Sequence, residues 1–248
     1  KDLLLLSARP SKVDIKKVPH FLYGYVDSDI NYSVVDWLLE LKKTLSQIEL
    51  KNKIPILVGG SGLYINAVIN GLVNIPLISE KIKNQSLMKF NEVGIEKFRQ
   101  INFQIDPRSI ENNNDKHRLL RAYGIFLQTK KNISFWYKQP RVKTVNKNIY
   151  SFFITSDRKS IYEKCEIRFE DMLAKGAIDE VKKLHNSNID RSLPISKSLG
   201  VKWLLSYLDN NISYEEAIKL SKRDTRRYVK RQFTWFKHNY IPYKIVNI

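Results

Sequence analysis

The sequence predicts an α/β fold, on three observations. A short apolar run, Ile54-Pro55-Ile56-Leu57-Val58, ends in Gly59-Gly60 and passes into the helical pattern Leu63, Tyr64, Ala67, Val68. A second run, Ile149 to Thr155, precedes Asp157 and another helical stripe. Nearly everything between and after them repeats at helical spacing. The 248 residues, 43% of them hydrophobic, suffice for one large domain or two small ones. The patterns divide the chain into a partial α/β core over 1–78, a helical insertion over 79–131, and the rest of the core with C-terminal helices over 132–248.

The elements follow in order. Residues 33 to 51 read as a helix, with Ser33 as cap before Val34, Trp37, Leu38, Leu41 and Leu45. The run 54–58 reads as a buried strand, and Ser61 opens a helix that stops at Gly71. A strand that turns through Gly-Gly into a helix has the local geometry of a phosphate site, because the helix N-terminal N–H groups and dipole favour an anion. A tight turn in any α/β protein explains the same residues. Residues 79 to 131 read as polar helices, broken at Asp106-Pro107 and at Asn112-Asn113-Asn114-Asp115. After the strand 149–155, Asp157 is the expected cap of a helix whose stripe is Tyr162, Cys165, Phe169, Met172 and Leu173, with Gly176 as its stop. Helices are expected over Ala177 to Asn186, Ser196 to Leu208 and from Tyr214 onward.

That last helix is the strongest functional signal. Ser213 followed by Glu216 predicts a capping box. Lys222, Arg226 and Lys230 form one i, i+4 row, and Arg223, Arg227 and Arg231 form a second. Tyr228, Phe233, Trp235 and Phe236 are interleaved with these cations. Cations at this spacing suit phosphates, and aromatics suit bases; a solvated basic surface fits the row equally well. The net charge of +18 points to a polyanionic partner, nucleic acid ahead of a membrane surface.

Cys165 is the only cysteine, which excludes an intramolecular disulfide or a cysteine-rich zinc site and fits a reducing cytoplasm. His20, His117, His185 and His238 lack metal-binding spacing, so no protein metal site is expected. No apolar run reaches the length of about 18 residues that a membrane span needs.

Several of these segments, taken in order, resemble the bacterial tRNA dimethylallyltransferases. Ala8-Arg9-Pro10-Ser11, Val18-Pro19-His20 and Tyr32-Ser33-Val34 are similar to the family's AKPS, VPHH and YSV segments, and Pro55 to Ile65 to PILVGGTGLYI. Asn114-Asp115 with Arg118, Arg121 and Ala122 resembles NDxxRxxRA; Arg168, Met172, Gly176, Asp179-Glu180-Val181 and Gly200 follow in family order; and Lys230 to Phe236 resembles KRQxTWF.

The resemblance implies a P-loop NTPase-like parallel-sheet core holding dimethylallyl diphosphate in a channel that tRNA enters from the other end. The dimethylallyl group would pass to the exocyclic amine of the adenine beside the anticodon, with Mg2+ and diphosphate departing. Ser61, in place of the family threonine, would be catalytic and would bind diphosphate with Gly60 and Arg168. Lys83, His117, Arg118, Arg121, Lys197, Lys202, Lys230, Arg231, Gln232, Thr234, Trp235 and Lys237 fall where the family contacts the tRNA anticodon stem-loop. The implied protein is a cytoplasmic monomer.

The chain departs from the family at its start. No GxxxxGK[ST] loop and no acidic SADS- or DSMQ-like segment occurs in these residues, so an N-terminally truncated chain without first strand, P-loop, general base and magnesium ligands is expected. Loss of a central strand would expose apolar sheet surface and favour aggregation. Two alternatives stay open: a noncatalytic RNA-binding remnant, and an adenylate isopentenyltransferase, which would not need the C-terminal block. Smaller departures are Phe21, Ser61, Asn113, Lys164 and, where the family has a turn glycine, Lys130.

Overall fold

The computed structural model describes residues 1–110, 115–145 and 148–248. The expected break at Asn112–Asn114 and the departure at Asn113 lie outside the described residues. In chain order the elements are α1 (Lys12–Lys17), α2 (Val34–Leu50), α3 (Gly62–Asn70), β1 (Leu72–Val73), α4 (Glu80–Ile105), α5 (Pro107–Ile110), α6 (Lys116–Thr129), α7 (Ile133–Tyr137), β2 (Arg141–Val142) and β3 (Phe152–Thr155). Then come α8 (Arg158–Ala174), α9 (Ala177–Asn186), a 3-10 turn (Pro194–Lys197), α10 (Val201–Leu208), α11 (Tyr214–Asn239) and β4 (Lys244–Asn247). The chain divides into two compact units, Lys1–Val68 with Thr144–Ile248, and Ile69–Lys143.

The helices start where local chemistry says they should. Ser33 and Asp36 form a reciprocal capping box at α2, in which the Ser33 N–H donates to the Asp36 carboxylate at 2.9 Å and Ser33 Oγ accepts the Asp36 N–H. Asp157 caps α8 by accepting the Ser160 N–H at 3.0 Å. Ser213 Oγ accepts the Glu216 N–H at α11.

The core of the larger unit joins Leu3, Val181, Leu184, Val201, Leu204, Leu205 and Ala217, from the N-terminal turn, α9, α10 and α11. Glu180 ties the first turn to α9: its carboxylate accepts the N–H groups of Leu4, Leu5 and Leu6 at 2.8, 2.7 and 3.3 Å. In the smaller unit Phe98 of α4 packs with Leu119, Ala122 and Ile125 of α6 and Ile133 of α7. Asp106 ends α4 and accepts both the Ser134 N–H and hydroxyl.

Three expectations change. The segment 54–58 is not a buried strand: Ile54, Ile56 and Val58 are 90%, 85% and 86% exposed, and no strand pairs with it among the described residues. A continuous apolar run marks a strand covered on both faces, but the run cannot supply the neighbour that covers it. The parallel sheet is correspondingly small. β3 pairs in parallel with β4, Phe152 opposite Lys244 through Thr155 opposite Asn247, and a separate antiparallel pair joins β1 and β2. The architecture is therefore a helix-rich α/β fold with small sheets. The expected helix Ser196 to Leu208 is split by Gly200, at φ +81°, where a Cβ would come within 3.0 Å of Phe169 and 3.1 Å of Leu6. Gly94 also breaks α4, with φ 74° and ψ 171°, a region open almost only to glycine.

Candidate functional site

The Gly-Gly-Ser turn is held by the C-terminal half of α11. Gln232 Nε2 donates to the Gly60 carbonyl at 2.8 Å. A Cβ on Gly60 would overlap that same Gln232 amide, and a Cβ on Gly62 would overlap the Trp235 ring. Gln232 and Trp235 are three residues apart, on one face of the helix, so one helical turn clasps the loop on both sides of Ser61. Only glycine allows this approach.

The clasp also orients the turn. A trans peptide places C=O and the following N–H on opposite sides, so anchoring the Gly60 carbonyl to α11 aims the Ser61 N–H away from it. Ser61 stands at the head of α3, where its carbonyl accepts the Ile65 N–H at 3.1 Å. The first N–H groups of α3 lack intrahelical acceptors. With the helix dipole, they and the Ser61 hydroxyl make a small anion-favouring surface. Tyr64, one turn into α3, meets Trp37 edge-on at 4.9 Å between ring centroids, and burial pushes its hydroxyl pKa upward.

The KRQFTWF block thus has two faces. Gln232 and Trp235 hold the turn, Phe236 stacks on Phe153 of β3 at 5.0 Å, and Phe233 lies under the Arg158 guanidinium at 5.6 Å. Arg227, Lys230, Arg231, Thr234 and Lys237 are exposed on the other side. Gln232 and Trp235, expected on the tRNA face, spend their side chains inward. Trp235, Phe233 and Phe236, the aromatics interleaved with these cations, each have protein neighbours.

The upper half of the basic rows is partly neutralised. Lys222 pairs with Glu170 of α8 at 2.5 Å, and Arg226 pairs with Glu166. Arg168 is exposed on the same helix. The contacts Arg158–Phe233, Glu166–Arg226 and Glu170–Lys222 set α8 and α11 antiparallel. Arg168 then lies about nine residues, roughly 13 Å of helix rise, beyond the level of Gln232 and the turn. Gly60 is joined to α11 through Gln232, and Arg168 lies further along the paired helices on α8.

Lys197, Lys202 and Arg231 do come together, along a groove of about 670 Å³ between the 3-10 turn, α10 and α11. In the smaller unit His117, Arg118 and Arg121 are exposed along α6, and Lys83 is paired with Glu80 on α4. Among the described residues no group of three His, Cys, Asp or Glu side chains could hold a metal ion. The described residues therefore offer magnesium no cage.

Sequence reasoning missed Glu180 as the anchor of the N-terminal turn and Asp224 as the acceptor of the Trp203 indole N–H. Both contacts join segments separated in sequence, the N-terminal turn to α9 and α10 to α11, and no local pattern announces them.

A family model described as IPP transferase matches residues 1–239. The chain belongs to the IPP transferase family. Among its relatives, a tRNA dimethylallyltransferase of Ehrlichia ruminantium is 36% identical over 241 residues, 97% of this chain and 80% of that protein. One from Wolbachia sp. subsp. Drosophila simulans is 38% identical over 251 residues, covering 100% of this chain and 83% of the relative. The crystal structure of a full-length tRNA isopentenylpyrophosphate transferase from Bacillus halodurans matches this chain with a TM-score of 0.68 at 28% identity, over 100% of this chain and 77% of that one. A eukaryotic dimethylallyltransferase crystallised acting on tRNA matches in fold, with a TM-score of 0.79 at 21% identity, over 98% of this chain and 63% of its own.

Proposed function

We propose that this IPP transferase family member transfers a dimethylallyl group from dimethylallyl diphosphate to the exocyclic amine of an adenine beside the tRNA anticodon. The observation that carries the reading is the clasp of the Gly60–Gly62 turn by Gln232 and Trp235, inside a family match over residues 1–239. The clasp couples the two family motifs: the turn that would face diphosphate is fixed by the same helix whose other face is basic.

The chemistry asks for little covalent help. An allyl group leaves diphosphate with carbocation character, so the barrier falls when preorganised donors stabilise the leaving charge. The Ser61 hydroxyl, the Ser61 N–H turned away from α11 and the head of α3 are such donors, and Ser61 is the residue proposed as catalytic. Arg168 is proposed as a cation for the outer phosphate. The adenine would have to leave its stack to reach the allyl carbon. The exposed cations of α11, with Lys197, Lys202, Lys83, His117, Arg118 and Arg121, are proposed to hold the RNA backbone. A phosphate-binding core of P-loop type, organised as 1–78, 79–131 and 132–248, and a cytoplasmic monomer complete the reading. Magnesium, when bound with diphosphate, would offset phosphate charge.

A second reading has its own observation. The exposed cations Arg227, Lys230, Arg231 and Lys237 on α11 would hold RNA whether or not transfer follows, so RNA binding without turnover is the second reading. Incubation with dimethylallyl diphosphate, magnesium and unmodified anticodon stem-loop RNA, followed by digestion to nucleosides, separates the readings. Dimethylallylated adenosine supports the transferase. RNA binding with no such product supports the second reading, and transfer to free adenylate but not to RNA contradicts both.

A further inference from the structure

Asp224 is an acid in the middle of a basic helix, and its partners explain why it is there. Its carboxylate accepts the Trp203 indole N–H at 2.7 Å. It also accepts Arg223 Nε and Nη2, each at 3.3 Å, and lies 3.8 Å from Arg227 Nη1. The Trp203 ring in turn carries Lys202 Nζ at 4.2 Å and the Arg223 guanidinium at 5.7 Å from its centroid. Burial raises the Asp224 carboxyl pKa, but the hydrogen bonds from Trp203 and Arg223 outweigh burial and hold it below the ordinary aspartate value. The group is an ionised hub with cations arranged around it.

Of these cations, Lys202 and Arg227 border the groove between the 3-10 turn, α10 and α11, and Arg223 neighbours it through Asp224. Arg191, Lys197, Lys202, Arg227 and Arg231 line it, opposed by Asp209 and Asp224. Asp209 is engaged by Arg191 at 2.8 and 3.0 Å and by His185 at 2.8 Å. An unpaired acid in such a groove would repel phosphate. An acid committed to orienting guanidinium groups can strengthen phosphate recognition, because Arg binds phosphate through a planar fork whose direction matters.

We propose that Asp224 is a positioning residue of the RNA site, fixing Arg223, Arg227 and the Lys202–Trp203 stack so that the groove presents its cations in register to consecutive backbone phosphates. This rests on the RNA reading of the proposed function and adds to it a residue that acts through others. Simple charge predicts the opposite sign, since removing an acid from a basic groove should tighten RNA binding.

Binding of unmodified anticodon stem-loop RNA to wild type, Asp224→Asn, Arg227→Ala and the double variant, over a salt series, decides between them. Asn keeps an acceptor for the Trp203 indole but loses the charge that holds the arginines. Positioning predicts that Asp224→Asn binds about 3- to 10-fold more weakly and that its salt slope falls by about one as Arg227 disengages. The double variant should then bind little worse than Arg227→Ala alone. Equal or tighter binding by Asp224→Asn, or fully additive losses, would overturn the proposal. Arg227→Lys gives an independent arm at a largely exposed position: it keeps the charge but not the fork, so wild-type affinity for this variant would also overturn it. If wild type binds no RNA, the RNA reading itself falls and this inference with it.

Discussion

Gly62→Ala sets two effects against each other. Gly62 is the first residue of α3, and Ala in place of Gly within a helix is worth up to about 1 kcal/mol from propensity. The added Cβ, however, would overlap Trp235 at Cδ2, Cε2 and Cε3. Trp235 cannot move freely, because it meets Phe236 edge-on at 5.1 Å and Phe236 is stacked on Phe153. Overpacking of this kind costs about 1–3 kcal/mol, so the overlap wins and a net loss of about 1–2 kcal/mol is expected. For a domain of this size that is a fall in melting temperature of roughly 2–8 °C. Thermal melts of wild type, Gly62→Ala, Trp235→Ala and the double variant measure it. In the Trp235→Ala background the ring is gone, and Gly62→Ala should become neutral or stabilising. A Gly62→Ala protein as stable as wild type, with no coupling to Trp235, would refute the clasp.

Lys130 is left-handed at φ 57° at the end of α6. Lys130→Gly should relieve about 1–2 kcal/mol of strain against about 0.4–1 kcal/mol of added unfolded-state freedom, giving a denaturation midpoint shifted upward by a net of about 0.5–1 kcal/mol. Glu180→Ala removes the acceptor of three N–H groups, so a loss of about 2 kcal/mol or more is expected, with faster hydrogen exchange at Leu4 to Leu6. The Asp36 carboxyl is held below its ordinary 3.8 by the Ser33 hydroxyl and backbone. A lowered carboxyl contributes stability that is complete above about pH 4 and is lost as pH falls through its folded value, and Ser33→Ala should flatten that acid limb of the stability curve.

The sequence revealed what is locally encoded. Ser33, Asp157 and Ser213 cap helices through groups three residues away, and α9 spans the expected Ala177 to Asn186 because Gly176, at φ 96°, separates it from α8. The segment 54–58 misled because a strand is defined by its neighbours. Helical spacing identified the faces of α11 but not what lies against each. That Lys222 and Arg226 meet Glu170 and Glu166 depends on α8 and α11 lying side by side. That Gln232 and Trp235 turn inward depends on a loop 172 residues away in the case of Gln232. The motifs marked segments, and tertiary packing decides which of their side chains turn inward.

Salt-dependent RNA binding probes the two-faced character of α11. A Lys230→Ala, Arg231→Ala, Lys237→Ala triple variant changes only exposed positions. Its melting temperature should match wild type, while the slope of log affinity against log salt for the anticodon stem-loop should fall by about three. An unchanged slope with wild-type affinity would mean that the exposed face of α11 does not hold RNA.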